Sequence, residues 1–359
     1  MNTTQEVSKI DFRPTSPREY RPEIGLIACG EITKIHCEAY RRAGYAVTGL
    51  CDIRIEKAKN RQRDFFPSAI ITTDVDDLLS NPNIEVVDIA AHPEVRVELI
   101  ERALLAGKHV LSQKPFVTDL EVGWKLIHLA ERLGRVLAVN QNARWAPHFR
   151  FMINAIQAGH LGEVNDVSFS VHWDHNWIVD TPFNLMPHAV LYDFAIHWFD
   201  LLGGLLPGKV PQAVFASTSR AYAQMAKPPL LAQAVVQYGG SQASLVFNGN
   251  VKVGKKDRTF IHGTRGTLLS EGEGLEKQQV CLSTQEGEFF PLLQGSWIPD
   301  GFHGTMGELL TAIYEGRQPE NSARNNMQSL ALCLASTKSA DSGTVQPCAL
   351  GDVAPEPGS

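Results

Sequence analysis

"IGLIACGEIT", residues 24–33, decides the fold. An apolar run enters it, a turn with one glycine sits in its middle, and a helix-period segment, EITKIHCEAYRRAG, leaves it. A strand–turn–helix join of this kind opens a βαβ unit. In its fullest form the turn reads G-x-G-x-x-G, with glycines for the tight bend, for close approach of a pyrophosphate and for helix packing. Gly30 holds the second of those places, while Ala28 and Thr33 stand at the first and third. The turn alone specifies little. Asp52, at the end of the second apolar run, adds what it lacks, because a carboxylate there accepts the ribose hydroxyls of an adenosine and repels a 2′-phosphate. The same aspartate would also cap the following helix. Arg54 lies close by and softens that preference towards NADP, but Asp52 keeps NAD the expected cofactor.

Outward from that stretch the chain keeps one rhythm. Short apolar runs at 24–28, 46–51, 69–71, 86–90, 109–111 and 136–140 alternate with helix-period segments that close on glycine. Such alternation predicts an α/β fold with a doubly wound parallel sheet, a Rossmann domain over residues 22–143. Near 141–147 the rhythm changes. After one more helix, "GEVNDVSFSVHW", "LAQAVVQY", "QASLVFNG" and "DRTFIHGTRGTLLSEG" alternate with period two, and helical stretches at 302–315 and 322–340 follow. They predict a second α/β domain, residues 144–345, with a mostly antiparallel open sheet. Residues 1–21, with Pro14 and Pro17 and no apolar core, are expected to be a flexible arm, and residues 346–359 a tail.

Composition narrows the function. Of 359 residues 43% are hydrophobic and 20% charged, and the formal net charge is −6, which gives no basic footprint for nucleic acid or an anionic membrane. No run approaches a membrane-spanning length and the first residues do not read as a signal peptide. Six scattered cysteines without a CxxC pair read as reduced thiols of a cytoplasmic protein.

Two places then carry chemistry. In "GKHVLSQKPFV", residues 107–117, Lys114 ends a strand against Pro115, whose ring restricts the preceding backbone and gives the amine a defined exit. In "HAVLYDFAIHWFDLLGG", residues 188–204, Asp193 and His197 share one helical face, with Asp200 nearly on the same side. An Asp–His pair can be satisfied within a core. Beside a nicotinamide, a lysine, a histidine and an aspartate would instead make a hydride-transfer site. Lys114 would stabilise a developing alkoxide, His197 would exchange the hydroxyl proton and Asp193 would orient the substrate. "VHWDHNW", residues 171–177, offers His172 and Asp174 on one strand face without a third ligand, so no metal is expected. His172 and His175, with Trp173 and Trp177, read as pocket lining for a sugar or as strand-end residues in a loop.

Over residues 23–339 the chain resembles the Gfo/Idh/MocA oxidoreductases (glucose–fructose oxidoreductase, inositol dehydrogenase, rhizopine catabolism). The likeness rests on Gln113-Lys114-Pro115 for Glu-Lys-Pro, Asp193-Phe194-Ala195-Ile196-His197 for D-x-G-x-H, and Arg144-Trp145-Ala146-Pro147 at the domain entry. A G-x-x-G-x-L hairpin at 263–268 completes it. The resemblance implies NAD(P)-dependent chemistry on sugars, their derivatives or inositol-type polyols, and homo-oligomers (dimer or tetramer) joined through the second sheet. It implies cofactor contacts from Cys29, Gly30, Glu31, Ile32, Asp52, Ile53, His92, Gln113, Lys114, Asn142 and Trp145. It implies substrate contacts from Lys114, Arg144, Trp145, His172, His175, Asp193 and His197. The departures are Gln113 for glutamate, Arg96 where many members have histidine and His92 where many have proline. The scaffold also hosts glycoside-cleaving enzymes that recycle the hydride, and non-catalytic sugar or nucleotide sensors. Retention of Lys114, Asp193 and His197 speaks against the sensor.

Overall fold

A computed structural model describes residues 7–274 and 276–351. The chain divides into two compact units. The first comprises Pro14–Asn142 and Ile298–Met327. Its six strands are β1 (Glu23–Ile27), β2 (Ala46–Cys51), β3 (Ile70–Thr72), β4 (Ile84–Ile89), β5 (His109–Ser112) and β6 (Leu137–Val139). They pair in parallel in the order β3-β2-β1-β4-β5-β6. This is the Rossmann order, with its topological switch between β1 and β4. The inner strands are buried on both faces, and so the sequence showed continuous apolar runs there rather than alternation.

The crossovers are α1 (Thr33–Ala43), α2 (Ile55–Phe65), α3 (Val75–Leu79), α4 (Pro93–Leu105) and α5 (Leu120–Arg132). Local chemistry sets their starts. Asp74 accepts from the Asp76 N–H (2.9 Å) to cap α3, Asp119 accepts from the Val122 N–H (3.1 Å) to cap α5, and α4 begins on Pro93.

The second unit comprises residues 7–13, Ala143–Trp297 and Gln328–Leu350. Helix α6 (Pro147–Gln157) leads into a nine-stranded sheet: β7 (Val164–His172), β8 (Pro211–Ser219), β9 (Leu231–Tyr238), β10 (Ser241–Asn248), β11 (Lys256–Gly263), β12 (Gly266–Gly272), β13 (Gln278–Thr284), β14 (Gly287–Phe289) and β15 (Gln346–Pro347). Among these described strands only β7 and β10 pair in parallel. Alternation does the sorting: in β9, Ala232, Ala234, Val236 and Tyr238 are buried while Gln233, Val235 and Gln237 face out. On the buried side lie α6 and α7 (Ile196–Leu205), with Phe149, Phe169, Trp198 and Phe199 in one apolar cluster.

The borders differ from the sequence expectation. Residues 298–327 join the Rossmann unit, because Phe302, Met306, Leu309 and Leu310 share a core with Ile24, Leu26, Tyr40 and Leu50. They include most of α8 (Trp297–Glu315) and the start of α9 (Ala323–Ser342). Nor is the whole N-terminal stretch a free arm. Val7 is buried, Ile10 and Phe12 pack on the second unit's core, and Asn154 donates to the Asp11 carbonyl (2.5 Å). At the other end β15 pairs with β8 and Cys348 is buried. Residues 1–6 of the expected arm and 352–359 of the expected tail lie outside the described residues.

Candidate active site

Parallel strands bring their carboxyl ends to one edge, and the candidate cofactor residues of the first unit all follow those ends. Cys29, Gly30, Glu31 and Ile32 follow β1, Asp52 and Ile53 follow β2, His92 follows β4, Gln113 and Lys114 follow β5, and Asn142 follows β6. In an open α/β sheet the crevice outside these ends is where ligands bind.

The incomplete glycine pattern is made good by backbone and side chains. Ala28 adopts the left-handed φ of 70° that a glycine takes freely, and its N–H donates to the Cys51 carbonyl (2.8 Å). A Cβ at Gly30 would meet nothing within 4 Å, so the backbone there is open to close approach. Buried Thr33 donates from its hydroxyl to the Gly30 carbonyl (2.6 Å), and Arg61 of α2 donates to the same carbonyl (2.7 Å) and to the Thr33 hydroxyl (3.2 Å). These residues fit a pyrophosphate. Asp52 is buried, its Oδ2 accepting from the Cys29 N–H and its Oδ1 from the Arg54 N–H, each at 2.8 Å. The expected helix cap is not made, since Arg54 is the N-cap of α2 and no side chain caps it; Asp52 instead ties the end of β2 to the glycine turn. Glu31, Ile53, Arg54 and His92 are exposed.

Half-buried Lys114 is fixed through its backbone. Its N–H donates to the Gln113 Oε1 (2.7 Å), and the Lys114–Pro115 peptide is cis. Buried Arg96 donates to the carbonyls of Ala91 (2.6 Å), Gln113 (2.6 Å) and Pro115.

In the second unit the stretch 188–204 is not one regular helix. A π-helical turn, Val190–Phe194, precedes α7, closed by an Ala195 N–H to Val190 carbonyl bond (2.7 Å). Asp193 is buried in that turn and His197 half-buried in the first turn of α7. His175 is buried among rings, with Phe194 at 4.2 Å, Trp173 at 5.3 Å and Trp177 at 6.3 Å between centroids. Trp173 lies 5.4 Å from Trp198, and His197 stands 5.4 Å from Trp297. Burial lowers the His175 pKa to about 4, with Asp174 and Asp193 opposing the fall, so its imidazole is neutral at pH 7. Burial likewise raises Asp257 to about 6, although its carboxylate accepts from the Trp173 indole N–H (2.6 Å).

Other expectations on this unit find structural partners. Arg144 is buried in a two-pronged pair with Asp200, Nε to Oδ2 at 2.5 Å and Nη2 to Oδ1 at 3.0 Å. That use, rather than substrate contact, is the one its geometry shows, because a buried guanidinium needs a matched acid. Trp145 is buried with Arg150 over its ring. Asp174 accepts from the Asn176 N–H and side-chain amide, and the His172 Nδ1 lies 3.2 Å from the Lys256 carbonyl.

Two family models cover these features. Residues 23–141 match the GFO_IDH_MocA oxidoreductase family with its NAD-binding Rossmann fold, and residues 149–269 match the GFO/IDH/MocA C-terminal domain. The chain belongs to the GFO/IDH/MocA oxidoreductases. It is 30% identical to an uncharacterised oxidoreductase of Schizosaccharomyces pombe over 63% of this chain and 64% of that one, less than two thirds of the relative's length. It is 24% identical to the inositol 2-dehydrogenase of Rhizobium meliloti over 88% of this chain and 96% of that one. An oxidoreductase from Agrobacterium radiobacter, solved with NAD+, L-tartaric acid and magnesium, shares the fold. Its TM-score is 0.81 at 20% identity, over 91% of this chain and 98% of that one.

Set in this GFO/IDH/MocA frame, the residues that sequence reading missed are His36, Asp88 and Asn140, with Arg61 beside the glycine turn. Asp88 did leave a signal, a lone carboxylate inside the apolar run VVDIA. A charge in a strand buried on both faces needs a partner.

Proposed function

We propose that this GFO/IDH/MocA member is an NAD-dependent dehydrogenase or reductase. It acts on a hydroxyl-bearing carbon of a sugar, sugar derivative or inositol-type polyol. The observation that carries the reading is the Lys114 tripeptide, held at the carboxyl end of β5 by both an amide and a guanidinium, on the edge that also carries the open Gly30 backbone. The inositol dehydrogenase relative supports the substrate class. When bound, NAD supplies the hydride acceptor. Gly30 and the N-terminus of α1 would hold its pyrophosphate, and Asp52 its adenosine ribose, favouring NAD over NADP.

Lys114 would donate from Nζ to the substrate oxygen and stabilise negative charge there as the C–H bond breaks. His197 would accept the hydroxyl proton in oxidation and return it in reduction. Asp193 would accept hydrogen bonds from neighbouring hydroxyls, and the rings around His175 would offer an apolar face for the C–H side of a sugar ring. The exposed faces of Phe215, Val235 and Val246 on the open sheet support pairing of two copies as a dimer or tetramer. Six free cysteines support a cytoplasmic home.

The test is a panel of aldoses, inositols, polyol acids and glycosides with NAD, followed by NADH absorbance. Stoichiometric NADH from at least one polyol is the expected result. Glycoside cleavage without net NADH would favour hydride recycling instead, and NADH binding with no turnover on the whole panel would favour a sensor.

A further inference from the structure

Beneath Lys114 runs a buried polar chain that the proposed chemistry does not use. His36 and Tyr40 lie one turn apart on α1, Asp88 lies in β4 and Asn140 follows β6, and none is more than 1% exposed. The Asp88 Oδ2 lies 2.6 Å from the His36 Nδ1 and accepts from the Tyr40 hydroxyl at 2.7 Å. Across the imidazole, the His36 Nε2 lies 3.3 Å from the Gln113 Nε2 and 3.2 Å from the Asn140 Nδ2.

Counting protons along this chain leaves one arrangement. The Lys114 N–H can only donate, so the Gln113 oxygen faces it at 2.7 Å and the Gln113 NH2 faces the histidine. With Nε2 thus an acceptor, the Asn140 NH2 must face it too, and its Oδ1 lies 2.9 Å from the Thr305 hydroxyl, which also has the Phe302 carbonyl as an acceptor at 3.1 Å. His36 therefore accepts at Nε2, keeps its proton on Nδ1 and donates a hydrogen bond from it to Asp88.

We propose that Asp88 and His36 form a positioning pair for Lys114. Asp88 sets the histidine tautomer, His36 orients the Gln113 amide, and that amide fixes the Lys114 backbone. Only the catalytic consequence rests on the dehydrogenase reading. The chain also assigns the chemistry of residue 113. A carboxylate there has acceptors alone, and it would face an accepting Nε2 with no proton between them unless His36 gained one. Gln113 is thus matched to a histidine that accepts at Nε2, and every bond is donated one way, from Lys114 towards Asp88. Cost points to the same role: a buried polar chain of this length is no more stable than an apolar filling of the same shape. It does specify one orientation.

The experiment is ring-nitrogen NMR of the full-length protein with NADH bound and its histidines 15N-labelled, the His36 signals being assigned by their loss in His36→Ala. The expected spectrum shows a protonated Nδ1 and a bare Nε2 in wild type, with Nε2 protonated in Gln113→Glu. A protonated Nε2 in wild type, or an unchanged ring in Gln113→Glu, overturns the assignment. The second readout is hydrogen exchange at the Lys114 amide, together with turnover on any substrate the panel finds. Asp88→Asn should speed exchange and lower turnover about tenfold to a hundredfold with the NAD KM unchanged, as a small displacement of a reacting group does. Joining it to Gln113→Glu reverses the polarity. The amide introduced at position 88 then donates to Nδ1, Nε2–H donates to the carboxylate introduced at position 113, and the Asn140 amide turns over against Thr305. Slow exchange should return in that double variant. A double variant no better than either single one would reduce the pair to a structural element. Expected ring and exchange results with an inactive panel would uphold the pair and remove the dehydrogenase reading alone.

Discussion

Lys114 and His175 both stand just past a strand end, yet their surroundings hold them by different means. Around Lys114 the fixing groups are directional, with the Gln113 amide, the Arg96 guanidinium and the His36–Asp88 pair each bonding to a defined atom. Around His175 they are rings, and its buried Nδ1 has no hydrogen-bond partner among the described residues. A hydrogen-bonded scaffold fixes direction, which suits a group that must meet one atom. A ring-lined wall fixes shape and leaves polar valences for an incoming hydroxyl. On the proposed function, the first unit serves aim and the second fit.

The largest effect should fall on aim. Lys114→Ala is expected to lower turnover about 10²–10⁴-fold, the range of a lost group that shares charge or a proton with the reacting atom. NADH affinity, followed by fluorescence, should fall much less than turnover. His197→Ala should fall in the same range, and on the proposed mechanism, in which both serve one substrate hydroxyl, the double variant should lose less than the sum in free energy. Near-normal turnover in Lys114→Ala would break the comparison at its stronger end.

Next comes the buried pair behind the second unit's site. Arg144→Met leaves the Asp200 carboxylate buried and unmatched, which should cost about 3–5 kcal/mol of stability. Arg144→Met with Asp200→Leu should recover most of it in urea unfolding. A single variant that loses turnover but no stability would return Arg144 to the substrate.

What the sequence disclosed follows the same division. The inner strands of the parallel sheet announced themselves, because burial on both faces forces apolar runs such as 86–90 and 109–111, whereas the edge strand β3 is exposed or half-buried. Period-two alternation marked β9 and β10 equally well. Contacts between residues far apart in the chain were hidden. Nothing local in 298–327 says that Phe302 will pack beside His36 at 4.8 Å, or that Thr305 will bond to Asn140. Spacing also missed the π turn at Val190–Phe194, because it assumes one regular helix over 188–204. Arg144 read as a site residue because an aromatic and a proline follow it. Its partner, Asp200, was visible only as one more acid on an apolar helix.

A smaller effect separates the units by pH. With its folded pKa at about 4, His175 binds its proton more readily in the unfolded chain. Stability from this group is complete above pH ~6.5 and is lost as pH falls towards 4, by up to about 3 kcal/mol. His175→Phe should remove that share of the acid sensitivity. The check is unfolding of variant and wild type at pH 4.5 and 7. An equal pH dependence in both would mean that the ring wall holds the imidazolium as easily as water does.

The smallest effect has the opposite sign. Asp257 is raised to about 6 by burial, so the folded state holds its proton where the unfolded chain, near 3.8, has released it. Its contribution is most favourable below pH ~4 and declines as pH rises through 6. The bond from the Trp173 indole opposes that rise and is already contained in it, so about 2 kcal/mol is lost between pH 4.5 and 7. Asp257→Asn keeps an oxygen for the indole and has no proton to release. Relative to wild type it should therefore gain stability between pH 4.5 and 7 by that amount, while the His175 share stays in place. Because Trp173 packs on His175, the two titrations need not be independent, and the variant carrying both changes measures their coupling. A pH response equal to the sum of the single changes would show that the ring wall transmits shape and no charge. A shortfall would show that protonating His175 helps Asp257 to stay ionised, and the wall would then resemble the hydrogen-bonded edge more closely than its rings suggest.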